Sequence, residues 1–445
     1  MPNDSVNRLI ESVLPLREIN LDAIVEVGFK GLDKEKRQEY FKVFNVKPMV
    51  VGPRLRNLHT WFARRPCSTA RALTLSAVAR SELAYDVFLE ALGSGKSISS
   101  VGRKFGSGLL FYAKPNKTIV RQVVSENLSK QTSDILVLDP MAGGGSIPLE
   151  AARLGFRTVA VEYNPVAYLI VKASVEFPAK YADGGLFEET LKASKEFIQK
   201  AREELGRYYG EDAENYIFAR GVKCPFCGGL IPIQGVEPAI TKAPRFKKRF
   251  LKLTYDKEKR LFSAETTDKA ISSGTIAKRG NNIKCPYEGC GKWFQLRGQM
   301  KDGTTAFDQW FSEHARLMEN IVEGFTPITS EIEEKLLSLH IPLVKQVGNS
   351  FYTAWDDESE RKKFTSSLHA LSNELFDLQN FIPLDEISAE NVWASTARAK
   401  GLSKWYMLYN PRQLLAIAKL SKIVAETAEK LASKNGEFGA ATACI

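Results

Sequence analysis

Read as a pattern of apolar and polar positions, the chain is clearest around residue 140. Ile135-Leu136-Val137-Leu138 is a short apolar run stopped by Asp139-Pro140. Gly143-Gly144-Gly145 follow, then a helical stretch to Leu154, then Thr158-Val159-Ala160-Val161 ending in Glu162. The spacing predicts strand, glycine turn, helix, strand. Two apolar strands joined by a crossover helix pair in parallel and are buried on both faces, so the expected fold class is α/β, an open parallel sheet covered by helices. Upstream, residues 1–45 read as helical, with Ile10, Val13, Leu14 and Leu16 at helical spacing. Arg54, Arg56, Arg64 and Arg65 precede Pro66, after which Ala and Leu fill a helix with Ser68 as a cap. Residues 81–134 are helical, with Gly/Ser-rich connections at 93–100 and 102–108.

Downstream, residues 186–218 predict one or two charged amphipathic helices, 222–298 hold two cysteine pairs, and the rest reads as helical. Asn410-Pro411-Arg412-Gln413 opens a helix with a capping Asn, Pro in the first turn and Gln three residues after the cap. Ile417, Leu420, Val424 and Leu431 line one face until Asn435-Gly436 stops it. Four segments result: 1–80, an N-terminal domain with the arginine-rich stretch; 81–185, the first part of the α/β domain; 186–300, a helical and cysteine-bearing insertion; and 301–445, a helical return.

Composition narrows the class. The 445 residues are 44% hydrophobic and 26% charged, with 62 Lys plus Arg against 52 Asp plus Glu, a net charge of +10. Length allows about three units with cores of their own. No apolar run approaches the roughly 18 residues that span a bilayer, and the first residues lack the basic-then-apolar layout of a signal peptide, so the cytosol is expected. Much of the charge excess sits in residues 241–260, with nine basic and two acidic side chains. Arg245, Lys247, Lys248, Arg249 and Lys252 alternate there with Phe246, Phe250 and Tyr255. Cations that neutralise phosphates beside rings that stack on bases suit a nucleic acid, and a solvated hairpin is the alternative.

Three glycines after a strand let a ligand approach the backbone at a helix N-terminus. No Lys follows them, which excludes a Walker loop, and Pro148 stands where a dinucleotide fingerprint wants its third Gly. Asp139 and Glu162 end the two strands. An acid at the second strand suits the ribose hydroxyls of an adenosine, and one at the first suits a methionine amino group. Together they point to S-adenosylmethionine. Cys224-Pro-Phe-Cys227 and Cys285-Pro-Tyr-Glu-Gly-Cys290 are two knuckles whose four thiolates suit a closed structural Zn2+ site. Cys67 and Cys444 read as unligated, and His59, His314, His340 and His369 as hydrogen-bonded or solvated, with His59 beside the arginines the one of most interest.

The segments His59-Thr-Trp61-Phe-Ala-Arg64-Arg65-Pro66, Asp139 to Ala151, Glu162-Tyr-Asn164-Pro165, both knuckles and Pro411-Arg-Gln-Leu414 resemble, in the same order, the zinc-ribbon adenine-specific DNA methylases. The resemblance runs from about residue 10 to the C-terminus. It implies a class I methyltransferase (Rossmann-like) fold in which Asp139, Ala142, Gly143, Gly145 and Glu162 line the cofactor and Trp61, Arg64 and Arg65 lie over its methionine end, with double-stranded DNA as partner. The family's second motif, Asp or Asn before Pro-Pro and an aromatic, accepts the hydrogens of the adenine amine and stacks on the flipped base. None of the 19 prolines here follows another. The catalytic residues are therefore unassigned, and the expectation is an N-terminal portion whose sheet and catalytic loop a second polypeptide completes. The glycine-turn motif is also similar to that of enzymes methylating guanine in transfer RNA. A non-catalytic DNA-binding subunit is the third reading.

Overall fold

The parallel strand pair forms where the apolar runs place it. A computed structural model describes residues 7–11, 14, 19, 23, 35, 38, 61, 64–93, 113–235, 239–240, 248–271, 274–276, 281–297, 305–391 and 394–445. His59, Phe246, Arg245 and Lys247 lie outside the described residues, as do most of the expected helices before residue 45. The chain divides into two units, one of residues 1–193 with 428–445 and one of residues 194–427.

In the first unit α1 (Cys67–Ser76), α2 (Tyr85–Leu92) and α3 (Lys117–Leu128) precede β1 (Leu136–Asp139). Next, α4 (Ser146–Leu154) crosses to β2 (Arg157–Ala160), and α5 (Pro165–Val171) follows. β1 and β2 are parallel and in register from Leu136 opposite Arg157 to Asp139 opposite Ala160. Side-chain amides start two helices: Asn116 Oδ1 accepts from Thr118 N at 3.2 Å, and Asn164 Oδ1 accepts from Val166 N at 2.9 Å, with Pro165 in the first turn. Ser68 is not a cap. α1 starts one residue before it, behind Pro66, and Ser68 is buried inside the first turn.

The core of this unit joins Leu75, Phe88, Leu92, Val120, Val124 and Leu154, with Val137 of β1 packed against it. A buried ion pair ties α1 to α4: Arg71 Nε meets Glu150 Oε2 at 2.5 Å with both side chains fully buried. Arg71 Nη1 also donates to the carbonyls of Leu92 and Ala113, at 2.8 and 3.0 Å. The expectation of a sheet covered on both faces is not met. Val137 faces the helices, but Leu136 and Leu138 are 54% and 60% exposed, and Val159 is 44% exposed. With a side-chain period of two, the strands turn one apolar face to the core and the other to solvent.

The second unit begins within α6 (Leu186–Tyr209). The helix stops earlier than the sequence predicted: Gly210 adopts φ +80°, and residues 215–218 belong to a strand. That strand, β3 (Asn215–Lys223), is followed by β4 (Leu230–Pro232), the hairpin β5 (Phe250–Asp256) with β6 (Leu261–Thr267), and the ribbon β7 (Asn282–Lys284) with β8 (Trp293–Gln295). Beyond these come α7 (Ala306–Val322), α8 (Ser330–Leu339), β9 (His340–Val347), β10 (Ser350–Thr353), α9 (Glu358–Asn373) and α10 (Pro411–Cys444). β9 and β10 are a correction to the all-helical expectation; they form the antiparallel sheet β10-β9-β3-β4. The first five residues of β9 are buried, so its apolar run carries no helical periodicity. α10 opens with the expected reciprocal cap: Gln413 N donates to Asn410 Oδ1 at 2.9 Å and Asn410 N to Gln413 Oε1 at 3.1 Å. It breaks at Gly436, at φ 56° and ψ −132°, before resuming. Among the described residues no helix is long and apolar enough to cross a membrane.

Candidate functional site

The turn after β1 is tied to the end of β2 by its backbone. Ala142 N donates to Val161 O at 3.0 Å and Val161 N to Asp139 O at 2.9 Å, and Gly145 N closes the turn on Ala142 O at 2.8 Å. Gly143 and Gly145 sit at φ +50° and +76°, a region that side chains disfavour. Asp139 is buried at the strand end, where its Oδ1 accepts from Met141 N at 3.2 Å. Glu162 reaches across from β2: Oε1 accepts from Asn164 N at 2.9 Å and Oε2 from Gly143 N at 2.6 Å. These two amides hold its carboxyl below the usual carboxylate range.

The arginine-rich segment lies on this turn. A Cβ at Gly143 would stand 2.8 Å from Trp61 Nε1, and one at Gly144 would stand 3.0 Å from Arg64 Nε. Ser146 Oγ donates to the Arg65 carbonyl at 2.7 Å, so Arg65 is anchored by its backbone while its side chain is exposed. The structure thus brings Trp61, Arg64, Arg65, Asp139, Ala142, Gly143, Gly145 and Glu162 to the carboxyl ends of β1 and β2, at the N-terminus of α4. Such a place offers free amide groups and the positive end of a helix dipole to a ligand. Glu162 also borders a cleft of about 580 Å³ walled by Ala160, Tyr168 and Val171, which Asp139 does not line.

The cysteine pairs converge. The Sγ atoms of Cys224, Cys227, Cys285 and Cys290 all lie within 4.8 Å of one another, with Cys224 to Cys290 at 3.8 Å and Cys227 to Cys285 at 3.6 Å. Four sulfurs at about 2.3 Å from a tetrahedral Zn2+ stand about 3.8 Å apart, so the donor set fits that ion. Each knuckle is a tight turn: Gly228 N donates to Cys224 O at 2.8 Å and Cys290 N to Tyr287 O at 3.1 Å. Tyr287 wedges the two together, its hydroxyl donating to Leu230 O at 2.6 Å, and Gly229 leaves room for its ring, since a Cβ there would meet it at 2.3 Å.

The basic stretch is less bare than the sequence implies. Arg249 pairs with Asp268 and Lys252 with Glu265, the latter at 3.6 Å, across β5 and β6. Lys248 is exposed and has no acid partner among the described residues. Two other groups carry structure, and the histidines among them are hydrogen-bonded, one of the two states the sequence suggests for them. His340 Nε2 lies 3.0 Å from His314 Nδ1, and His314 Nε2 lies 2.8 Å from the Met407 carbonyl. A carbonyl only accepts, so His314 carries its proton on Nε2, and its Nδ1 accepts the hydrogen bond that His340 Nε2–H donates. Burial pushes the His314 imidazole down to about 4 and that of His340 well below its ordinary value. Arg412, flagged within the Pro411 segment, is buried among rings, 4.2 Å from Tyr216 and 4.6 Å from Tyr209, and donates to Tyr208 O at 3.1 Å.

Residues 116–220 match the model of a family described as UPF0020: RMKL-like, methyltransferase domain. The match takes in α3, β1, the glycine turn, α4 and β2 and runs on into β3. It leaves out the Trp61 segment and all four knuckle cysteines. These residues carry a methyltransferase domain, and such a domain draws its methyl group from S-adenosylmethionine. No curated protein and no solved structure matches the chain.

Proposed function

We propose that the chain is the cofactor- and DNA-binding part of an S-adenosylmethionine-dependent adenine N6-methyltransferase. The observation that carries the reading is the convergence on one glycine turn of two strand-end carboxylates and the Trp61–Ser146 contact region. Glu162 accepts from the ribose hydroxyls, Asp139 holds the methionine amino group, and the turn lets the ligand reach backbone amides. The bound cofactor supplies an electrophilic methyl group on a sulfonium. Cys224, Cys227, Cys285 and Cys290 hold a structural Zn2+ with no open position, so the ion serves the fold of the ribbon and not the transfer. Lys248, Arg249 and Lys252, with Arg245 and Lys247, neutralise DNA phosphates.

The acceptor of the adenine hydrogens is not among residues 1–445, which hold no Pro-Pro pair. The solvent-facing Leu136, Leu138 and Val159 support the same reading, since whatever brings that acceptor would also cover their face. Titration calorimetry with S-adenosylmethionine tests the core of the proposal. Binding is expected, weakened about tenfold or more by Glu162→Ala because a charged acceptor is lost; no binding to the wild-type chain overturns it.

The family match favours a second reading, since that family includes RNA methyltransferases. Incubating the chain, with and without a polypeptide carrying the Pro-Pro motif, with labelled cofactor and either DNA or transfer RNA separates the two by the polymer that gains the label.

A further inference from the structure

Lys284 and Trp293 stand directly opposite each other in the β7–β8 pair and so share one face of the ribbon, while Ile283, next to Lys284 on β7, turns to the core and is fully buried. Trp293 is 57% exposed, and among the described residues no ring or cation packs on it. Its face borders a cleft of about 870 Å³ between the ribbon and β5, walled also by Lys252, Tyr255, Tyr287 and Glu288, the last an exposed acid that pairs with Lys257 at 3.2 Å. The Tyr255 hydroxyl is buried without a hydrogen-bond partner, whereas Tyr287 beside it is satisfied. Lys284 has no acid partner among the described residues, and Lys252 has only the exposed Glu265.

A bare indole face, two lysines with weak or no counter-charge and an unpaired hydroxyl make a set whose complement is a flat aromatic ring joined to an anion. A nucleotide has that chemistry. A base can reach the indole only when it is out of its stack, because in a duplex both of its faces are covered. We propose that this cleft holds an unpaired nucleotide of the DNA substrate, its base stacked on Trp293 and its phosphates between Lys252 and Lys284. The inference rests on the DNA-binding reading above and extends the contact from the basic stretch, which supplies Lys252, to the ribbon, which supplies Lys284 and Trp293.

The test uses the full chain loaded with zinc and fluorescence anisotropy of a short single-stranded thymidine oligonucleotide, its duplex and the matching uridine RNA. Trp293→Ala is expected to weaken single-strand binding about tenfold, with Trp293→Phe restoring most of it. Lys252→Ala and Lys284→Ala each flatten the slope of log affinity against log salt by about 0.7. Zinc content and S-adenosylmethionine titration of each variant should equal those of the wild type, which shows that the ribbon and the glycine turn are intact. If Trp293→Ala does not fold, the lysine slopes decide. Unchanged single-strand affinity and slopes, with duplex binding still lowered by Lys248→Ala and Arg249→Ala, overturn the cleft and leave the DNA reading standing. Tighter binding of the RNA overturns DNA as the occupant, and no binding of any DNA overturns both.

Discussion

Gly143 shows how little room the turn leaves. Its φ of +50° already disfavours any side chain, by about 1–2 kcal/mol for alanine. An added methyl group would also press on Trp61 Nε1 at 2.8 Å. Gly143→Ala is therefore expected to lower stability by at least that backbone cost and to displace Trp61, read by denaturant unfolding together with a change in tryptophan emission. The His314–His340 pair gives a pH signature instead. Both rings are buried and neutral when folded, with proton affinities depressed below the unfolded value of about 6.5. A histidine depressed in the fold contributes stability that is complete above that value and is lost as pH falls. Stability should thus decline from about pH 6.5 towards pH 4, by up to about 1.4 kcal/mol per pH unit for each proton taken up only on unfolding. Equilibrium unfolding across that range checks the slope, and His340→Gln should make it shallower.

Among the elements, α1 and α4 depend on one buried charge pair. Arg71→Met strands Glu150 beside the partly exposed Arg153, which meets it at 2.7 Å, and should cost about 3–5 kcal/mol. Arg71→Met with Glu150→Leu removes both charges and should cost much less than Arg71→Met alone, as measured by urea denaturation. Neither residue was legible in advance: Arg71 lies in an Ala/Leu helix and Glu150 in a turn motif, 79 positions apart, and only the packing of α1 on α4 joins them. What was legible followed from local chemistry. Apolar runs bounded by Asp-Pro and Gly gave β1, α4 and β2, cysteines with two and four residues between them in tight Pro/Gly turns gave the knuckles, and Asn-Pro-x-Gln gave the start of α10. The misses have equally physical causes. The charged helical pattern runs up to Gly210, where the chain turns before residues 215–218 enter a strand, and His340–Val344 is buried throughout, which erases the alternation that marks a strand. The counter-charges of the basic stretch, Asp268 and Glu265, lie 13 or more residues away across the hairpin that is one of its two readings, so local charge alone does not reveal them.

For the whole molecule, the division into two units separates two chemistries. The glycine turn with Asp139 and Glu162 belongs to the unit of residues 1–193 and 428–445, and the four thiols belong to that of residues 194–427. If the thiols hold zinc and the chain binds DNA as proposed, chelation is expected to unfold the ribbon and lower DNA affinity while S-adenosylmethionine still binds, by calorimetry, with an affinity within about twofold, since among the described residues the one metal-type cluster lies in the other unit from the turn. Loss of cofactor binding on chelation would mean that the units do not keep their functions apart. The wet side of β1 and β2 sets a timetable as well. Oily strands with bare edges are templates for wrong company. The hazard lasts from the moment the chain leaves the ribosome until something screens Leu136 and Leu138, so dilution and a short wait protect the product more than any later rescue.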